Sequence, residues 1–564
     1  MASKAPLKIV IVGGVAGGMS AATRARRLDE SASITVFEKG PYPSYANCGI
    51  PYALGGVIAD EAKLLLQTPQ AFKERFNIDV QVNTEALSID REKHTVDVRT
   101  PSREMKSYPY DKLILSQGAE PFRPPIEGLD LPNVFALQTI PDLQKIKAYI
   151  SEHGSRRVAI IGGGFIGLEA ADAMRQLGLE ISIVEYAPHV FTIIDADMAE
   201  SLHTEIRRHN VNLVLNARIT RIEAAKGDLP GRVVLADGES VPADLVLVVV
   251  GVRARTELAQ QAGLEIGRTG VTVNEFMQTS DSDIYAVGDM VETEHRIAHH
   301  PLELALAGPA NRQGRLAADN IFGREIPYRG NVGTSVCKVF DITIASTGLA
   351  VHTLRKINQL PLWVTVHPPD HAGYYPGAQP ITLKVIFEPE TGRLLGAQAV
   401  GAAGVDKRID VLSTAMQAGM TMFDLEHLEL AYAPPYGSAK DPVNMAGFVG
   451  SNVLRGDVRI VHAEDLEGAE AGTQIIDVRS PAEFARGHLA AAVNLPLNQL
   501  REHVATLEKG RPAIVYCQVG YRGYLAYRIL KQMGFDVVNL DGGFKAVVDG
   551  GFKSVQARKE PPLL

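Results

Sequence analysis

At 564 residues the chain has room for about three to five domains, each with its own core. A formal net charge of −8 supplies no global field for nucleic acid or an anionic membrane surface, while leaving room for a local basic pocket. The three cysteines, Cys48, Cys337 and Cys517, are widely separated, which excludes a readable disulfide framework or metal-ligand cluster and suits a reducing compartment.

The opening stretch, Met1 to Lys8, has no signal-peptide pattern, and runs such as Leu245 to Val252 are too short to span a bilayer. The expectation is a soluble, cytoplasmic protein with no nucleic-acid or membrane partner and no metal. Lys8 to Val12 is a continuous apolar run, the pattern of a parallel strand buried on both faces. Gly13, Gly14, Val15, Ala16, Gly17 and Gly18 follow, then an Ala/Arg-rich helix from Ser20 to Leu28. Strand, glycine turn and helix form a cradle in which backbone N–H groups and a helix N-terminus hold a pyrophosphate, although Val15 stands where the usual fingerprint has a glycine. The next strand, Ile34 to Glu38, delivers the Glu38 carboxylate to a position suited to ribose hydroxyls.

Cys48 follows in Ser44-Tyr45-Ala46-Asn47-Cys48-Gly49-Ile50-Pro51-Tyr52. A free thiol does chemistry as the thiolate, which a helix N-terminus favours; packed in a core it is a small hydrophobe. A second cradle begins at Arg157 to Ile161, with the full spacing of Gly162, Gly164 and Gly167, a helix through Leu177, and Glu185 ending the next strand. A carboxylate there favours a free 2′-hydroxyl over a 2′-phosphate, and no arginine follows it, so NADH is expected ahead of NADPH. Two such sites in one chain imply a flavin and a nicotinamide.

Two more stretches make a resemblance specific. Tyr110 to Ala119, which contains Ser116 and Gly118, resembles the connecting motif of two-dinucleotide flavoprotein reductases. Thr279 to Asp289 resembles their second FAD motif, whose closing aspartate bonds the ribityl chain. Up to residue 450 the chain resembles the pyridine nucleotide-disulfide oxidoreductase family. The resemblance implies an α/β protein with two Rossmann-like dinucleotide-binding domains, for FAD (1–112 and 243–328) and NAD(P)H (113–242), and an α+β dimerisation domain (329–450). It implies FAD contacts from Gly13, Gly14, Ala16, Gly17, Gly18, Glu38, Ser116, Gly118 and Asp289, and nicotinamide-dinucleotide contacts from Gly162, Gly164, Gly167 and Glu185.

Most disulfide reductases of that family pair the cysteine with a second one, but Pro43 and Ala53 stand at the flanking positions here, so single-cysteine chemistry is expected. One branch cycles such a thiol through sulfenic acid to reduce oxygen or peroxide; another holds it as a mixed disulfide with coenzyme A. The first carries a histidine in the first glycine turn, where this chain has Ala16. Ser44 to Gly49 instead resembles the Ser-Phe-x-Asn-Cys-Gly motif of coenzyme A-disulfide reductases, with Tyr45 for phenylalanine. Arg24, Arg26 and Arg27 make the first helix basic, as a phosphorylated nucleotide tail requires. The resemblance carries over Ser20, Arg24, Arg27, Ser44, Asn47, Asn311 and Lys440 as coenzyme A contacts. It also implies a homodimer in which the loop Ala431 to Pro442 caps the other subunit's cysteine and Tyr432 donates a proton there, with Tyr374 and Tyr375 a weaker pair. Cys337, in the apolar run Ser335 to Phe340, reads as core.

After a linker at 451–459 the pattern restarts as a small α/β unit over 460–554. Asp477-Val478-Arg479, Glu483-Phe484, Gly487-His488-Leu489 and the six-residue run from Cys517 to Arg522 resemble a C-terminal rhodanese domain, with Ala491 in place of a usual glycine. A cysteine ending a buried strand, among the N–H groups of a short loop, is a cradle for a thiolate or persulfide. The resemblance implies that Cys517 carries sulfane sulfur and Arg522 closes its loop, while Asp477 and His488 support the fold. The expected activity is that of an NADH-dependent, FAD-containing coenzyme A persulfide or polysulfide reductase that releases hydrogen sulfide. Coenzyme A-disulfide reduction, NADH oxidation by oxygen, and a non-catalytic sulfur carrier or redox sensor are the alternatives.

Overall fold

The computed structural model describes residues 5–226, 230–299, 301–470, 472–552 and 555–556. The chain divides into two units, Met1–Tyr186 with Ala217–Asn331, and Ala187–Asn216 with Val332–Leu564. In the first, the apolar run forms the strand Lys8–Val12 at the centre of a parallel five-stranded sheet ordered Ile284–Ala286, Lys112–Leu115, Lys8–Val12, Ser33–Phe37, Asp79–Gln81. Ile9 and Ile11 pack with Met19, Ala22 and Ala25 of the following helix, whereas Val10 and Val12 pack with Phe37, Leu113 and Leu115. Alternate side chains meet two different cores, which is why the strand shows no polar alternation. The helix spans Ala16–Leu28; it starts a turn earlier than its Ala/Arg-rich composition suggests, because Gly17 and Gly18 are already helical. A second parallel sheet sets Glu180–Val184, Arg157–Ile161, Leu245–Val248 and Val134–Phe135 side by side, and the helix Phe165–Gln176 follows its glycine turn.

The second unit contains an antiparallel sheet ordered Ser335–Val339, Ile342–Gly348, Leu394–Gly401, Ile381–Phe387, Leu362–Val366. Cys337 is buried in its first strand, as the apolar run predicted. A parallel sheet follows, ordered Ile460–Val461, Val537–Leu540, Ala513–Tyr516, Gln474–Asp477, Val493–Asn494. Its helix Tyr521–Gln532 starts directly after Gly520, whose φ of +96° ends the loop. Arg522 therefore lies in the first helical turn, where composition had suggested loop. Ala491 takes φ +60°, the left-handed region, at the position where the resemblance leads one to expect glycine. No helix among the described residues is long and apolar enough to cross a membrane.

Candidate functional site

The two glycine turns of the first unit share one construction. Gly13 and Gly162 both have φ +106°, and a Cβ on Gly18 or Gly167 would lie 1.9 or 2.0 Å from the carbonyl oxygen of Gly13 or Gly162. Each helix thus begins too close to its turn for any side chain. Glu38 accepts hydrogen bonds from the N–H groups of Gly14 (2.8 Å) and Gly40 (2.7 Å), and Glu185 accepts from Gly163 N–H (2.6 Å). Ala16 opens the first helix, Ser116 Oγ faces Gly17, and Gly118 and Gly164 border open space. Among the described residues the Asp289 carboxylate has no hydrogen-bond partner, and burial pushes it up to about 6. A partly buried carboxylate beside a glycine cradle suits a dinucleotide that brings hydroxyl donors, so these residues fit FAD, and the second turn fits a nicotinamide dinucleotide.

Cys48 lies in the short 3₁₀ turn Asn47–Gly49, ahead of the five-residue helix Ile50–Leu54. Ser44, at φ +49°, ties this segment to the first cradle by donating its N–H to the Gly14 carbonyl (2.8 Å). Asn47 Oδ1 accepts from Cys48 N–H at 3.0 Å and lies 3.6 Å from Sγ. The residue as a whole is exposed, yet protein surrounds the sulfur closely enough that desolvation, followed by the Glu169 and Asp289 carboxylates, pushes the thiol up. The expected lowering by a helix N-terminus is absent because that helix is short and the nearby charges are negative. Glu169, on the helix Phe165–Gln176, accepts from the Tyr52 hydroxyl (3.0 Å) and is itself raised by burial. The sequence reading passed over it, although it stands two places after Gly167.

Ser20, Thr23, Arg27, Asn311, Arg312 and Arg315 line a groove of about 260 Å³. Ser20 Oγ donates to Asn311 Oδ1, joining the helix Ala16–Leu28 to the helix Ala307–Ile321. Arg27, Arg312 and Arg315 make no ion pair among the described residues, and burial together with Arg24 and Arg315 holds Arg27 below its usual range. Arg24 is committed elsewhere: its Nη2 and Nε lie 2.6 and 2.9 Å from Asp319 Oδ1. Arg26 is buried and donates to the carbonyls of Asp29, Glu30, Phe76 and Asn77. Of the three helix arginines one faces the groove, and the two cations that join it come from far downstream.

In the second unit the Tyr374 and Tyr432 hydroxyls are 2.8 Å apart on side chains 77% and 47% exposed. Arg408, fully buried, anchors both loops that carry them, donating to the Asp370 carbonyl (2.7 Å) and to Asp441 Oδ2 (2.8 Å). Tyr375 packs edge-on to His371, and Lys440 is exposed. The structure thus brings Tyr374, one of the two weaker candidates, to the hydroxyl of Tyr432, while Tyr375 packs on His371.

Cys517 is 1% exposed at the end of the strand Ala513–Tyr516. Arg522 makes a two-point pair with Glu483 (2.9 and 2.6 Å), which holds the carboxyl at about 2, and the Cys517 sulfur contributes to raising the guanidinium. Asp477 is buried against Arg479, which reaches Gln518 Oε1 (2.9 Å) and the Gly487 carbonyl (2.6 Å). His488 stacks on Phe484. Asp477 thus reaches the loop through Arg479, while His488 packs on the helix Pro481–Arg486. Elsewhere Glu205, His209 and Asp341 bring ligand-type atoms within 4.8 Å of one another, but Arg208 pairs with both carboxylates, so the group is already compensated.

Residues 7–314 match the family model for pyridine nucleotide-disulphide oxidoreductases, 334–441 its dimerisation domain and 462–550 a rhodanese-like domain. The Pyrococcus abyssi protein named NAD(P)H sulfur oxidoreductase (CoA-dependent) is 38% identical over 437 residues, 77% of this chain and 96% of that protein. The structure of reduced CoADR-RHD from Bacillus anthracis matches with TM-score 0.95 at 42% identity, over 98% of this chain and 99% of that one. That of a NAD-dependent persulfide reductase from A. fulgidus matches with TM-score 0.90 at 38% identity, over 96% and 100%.

Proposed function

Because this chain belongs to the pyridine nucleotide-disulphide oxidoreductase family, we propose that it is an FAD-containing, NADH-dependent coenzyme A persulfide or polysulfide reductase that releases hydrogen sulfide. The reading keeps the domain limits stated above, with a rhodanese domain that handles sulfane sulfur. One observation carries it: Cys48 is a free cysteine with no second cysteine beside it, in the same unit as a groove whose Arg27, Arg312 and Arg315 make no ion pair among the described residues. Such a thiol has no partner thiol of its own for a disulfide, which supports exchange with a small-molecule thiol, and the cations call for one that bears phosphates. Ser20, Arg27 and Asn311, with Arg312 and Arg315, are the coenzyme A contacts on this reading; Ser44 and Asn47 shape the cysteine turn, Lys440 supplies a phosphate contact, and Arg24 takes part only if it leaves Asp319.

A bound flavin and nicotinamide supply the two electrons of each turnover. Asp289 would accept from a ribityl hydroxyl, and Glu38 and Glu185 from ribose hydroxyls, with the Glu185 carboxylate favouring NADH. As the thiolate, Cys48 attacks the coenzyme A-bound sulfur of the persulfide; the S–S bond breaks, hydrosulfide leaves, and a Cys48–coenzyme A mixed disulfide forms. Two electrons and one proton reopen that bond, returning the Cys48 thiolate and coenzyme A thiol. In a homodimer, Tyr432 of the partner subunit would protonate the departing sulfur. Coenzyme A disulfide gives the same mixed disulfide with coenzyme A thiolate as leaving group, so both substrates use the same residues. Cys517 would collect sulfane sulfur and regenerate persulfide on coenzyme A, a step the fusion makes effectively intramolecular.

An intact mass spectrum of the purified protein before and after reduction tests the reading. The expected result is a coenzyme A-sized adduct on Cys48 that reduction removes, with NADH oxidation accelerated by coenzyme A persulfide. No adduct and no acceleration would overturn it, and an oxygen-dependent rate equal to the sulfur-dependent one would make the protein an NADH oxidase.

A further inference from the structure

The Cys517 loop rests on one short segment, 541–545. Phe544 N–H donates to the Cys517 carbonyl (2.8 Å) and Lys545 N–H to the Gln518 carbonyl (2.9 Å). Gly543, at φ +65°, approaches so closely that a Cβ there would lie 2.6 Å from the Cys517 carbonyl oxygen and 2.7 Å from Gly520 N. The other side of the same segment meets the antiparallel sheet. Leu362–Val366 is that sheet's edge strand, so its outward N–H groups lack ladder partners, and Asp541 Oδ2 accepts that of Thr365 at 2.9 Å in a buried contact. Gly542, at φ +64°, is so close to the sheet that a Cβ would lie 3.3 Å from Thr365 Cβ and 3.2 Å from His367 Nε2. His367 Nδ1 is 3.0 Å from Thr382 Oγ1, while its buried Nε2 has no hydrogen-bond partner among the described residues and faces this glycine. Burial, then Lys545, pushes the imidazole down to about 3, so it fills the seam as a neutral ring. His462 stacks on Trp363 at 3.7 Å, and Arg355 pairs with Glu464 (2.7 Å).

We propose that the sheet's edge strand braces the sulfur-carrying loop: Thr365 and His367, acting through Asp541 and Gly542, are positioning residues for Cys517. The segment between them has no slack, because consecutive residues touch the sheet on one side and the loop on the other. The rhodanese site then holds its geometry only while docked on the dimerisation domain. The inference rests on the reading that Cys517 carries sulfane sulfur.

The test uses the full-length holoenzyme and approaches the Thr365–Asp541 bond from both ends. Asp541→Ala removes the acceptor; Thr365→Pro removes the donor together with the threonine side chain, on an edge strand where proline is tolerated. Sulfur transfer is followed with thiosulfate and cyanide: the Cys517 thiolate takes the outer sulfur of thiosulfate and releases sulfite, and cyanide removes that sulfur as thiocyanate. Each variant should lower kcat about tenfold with little change in KM and shift the pH profile of Cys517 alkylation. The double variant should be no worse than either single one, Asp541→Asn should restore most of the rate, and Cys48-dependent NADH oxidation should be unchanged. Fluorescence of Trp363, the sole tryptophan, reports undocking. Wild-type turnover and alkylation in both variants would overturn the brace, as would additive losses. If the unaltered enzyme transfers no sulfur, or transfers it as well after Cys517→Ser, the sulfur-carrier reading fails, and the alkylation profiles still decide whether the brace exists.

Discussion

Cys48 and Cys517 each precede a helix and each sits in a tight turn, yet their surroundings differ in sign. Around Cys48 the charged groups are the carboxylates of Glu169 and Asp289, and the residue is exposed. Around Cys517 the nearby charge is the Arg522 guanidinium, fixed by two hydrogen bonds to Glu483, and the residue is buried. A thiol among carboxylates stays protonated in the free protein and draws its compensation from what binds next to it. The cation beside Cys517 is anchored by the chain's own carboxylate, Glu483. The first arrangement leaves room for charge brought by what binds beside the sulfur, whereas the second is completed by charged groups of the chain itself.

If the two thiols have separate duties, Cys48→Ser should lower NADH-dependent sulfur turnover by at least about 10³-fold while leaving flavin bound and thiosulfate sulfur transfer intact. Cys517→Ser should do the reverse, and steady-state assays of both reactions on both variants would reveal any shared role. On the Cys517 side, Asp477→Asn should cost about 3–5 kcal/mol of stability in urea unfolding, because it leaves Arg479 buried without its counter-charge, and should not alter Cys48 alkylation. On the Cys48 side, Asp289 has a folded-state value near 6, above its unfolded one, so its contribution is fully present below about pH 4 and is lost as pH rises through 6. Flavin-free protein should lose about 3 kcal/mol across that window, and Asp289→Asn should flatten the profile in melts taken at both ends. Glu169→Gln removes a negative charge that raises the thiol, so Cys48 alkylation by iodoacetamide should reach half-maximum at lower pH, with a rate a few-fold higher at pH 7; an upward shift would refute the electrostatic account. Ala491→Gly should raise stability by about 0.5–1 kcal/mol, since it relieves a left-handed alanine.

The glycine cradles, their closing acids, the solitary Cys48 and the Cys517 loop were all legible in the linear chain. Each is marked by a short stretch of sequence: Gly18 must lack a side chain because its own turn brings it against the Gly13 carbonyl, whereas the room that Gly13 leaves is filled by the backbone of Ser116, which only the folded sheet brings alongside. The basic groove was half legible. Arg24, Arg26 and Arg27 look equivalent in one dimension, but Asp319 claims the first and a set of carbonyls the second, while Arg312 and Arg315 arrive on a helix that only packing brings alongside. Glu169, the Arg408–Asp441 anchor and the seam at His367 were hidden for the same reason. Which face of a helix meets an empty groove, and which charge ends up beside a sulfur, follows from how elements distant in sequence pack together. Local spacing could therefore say that Cys48 and Cys517 were reactive candidates, whereas the opposite signs of the charges around them arose only once the chain had folded.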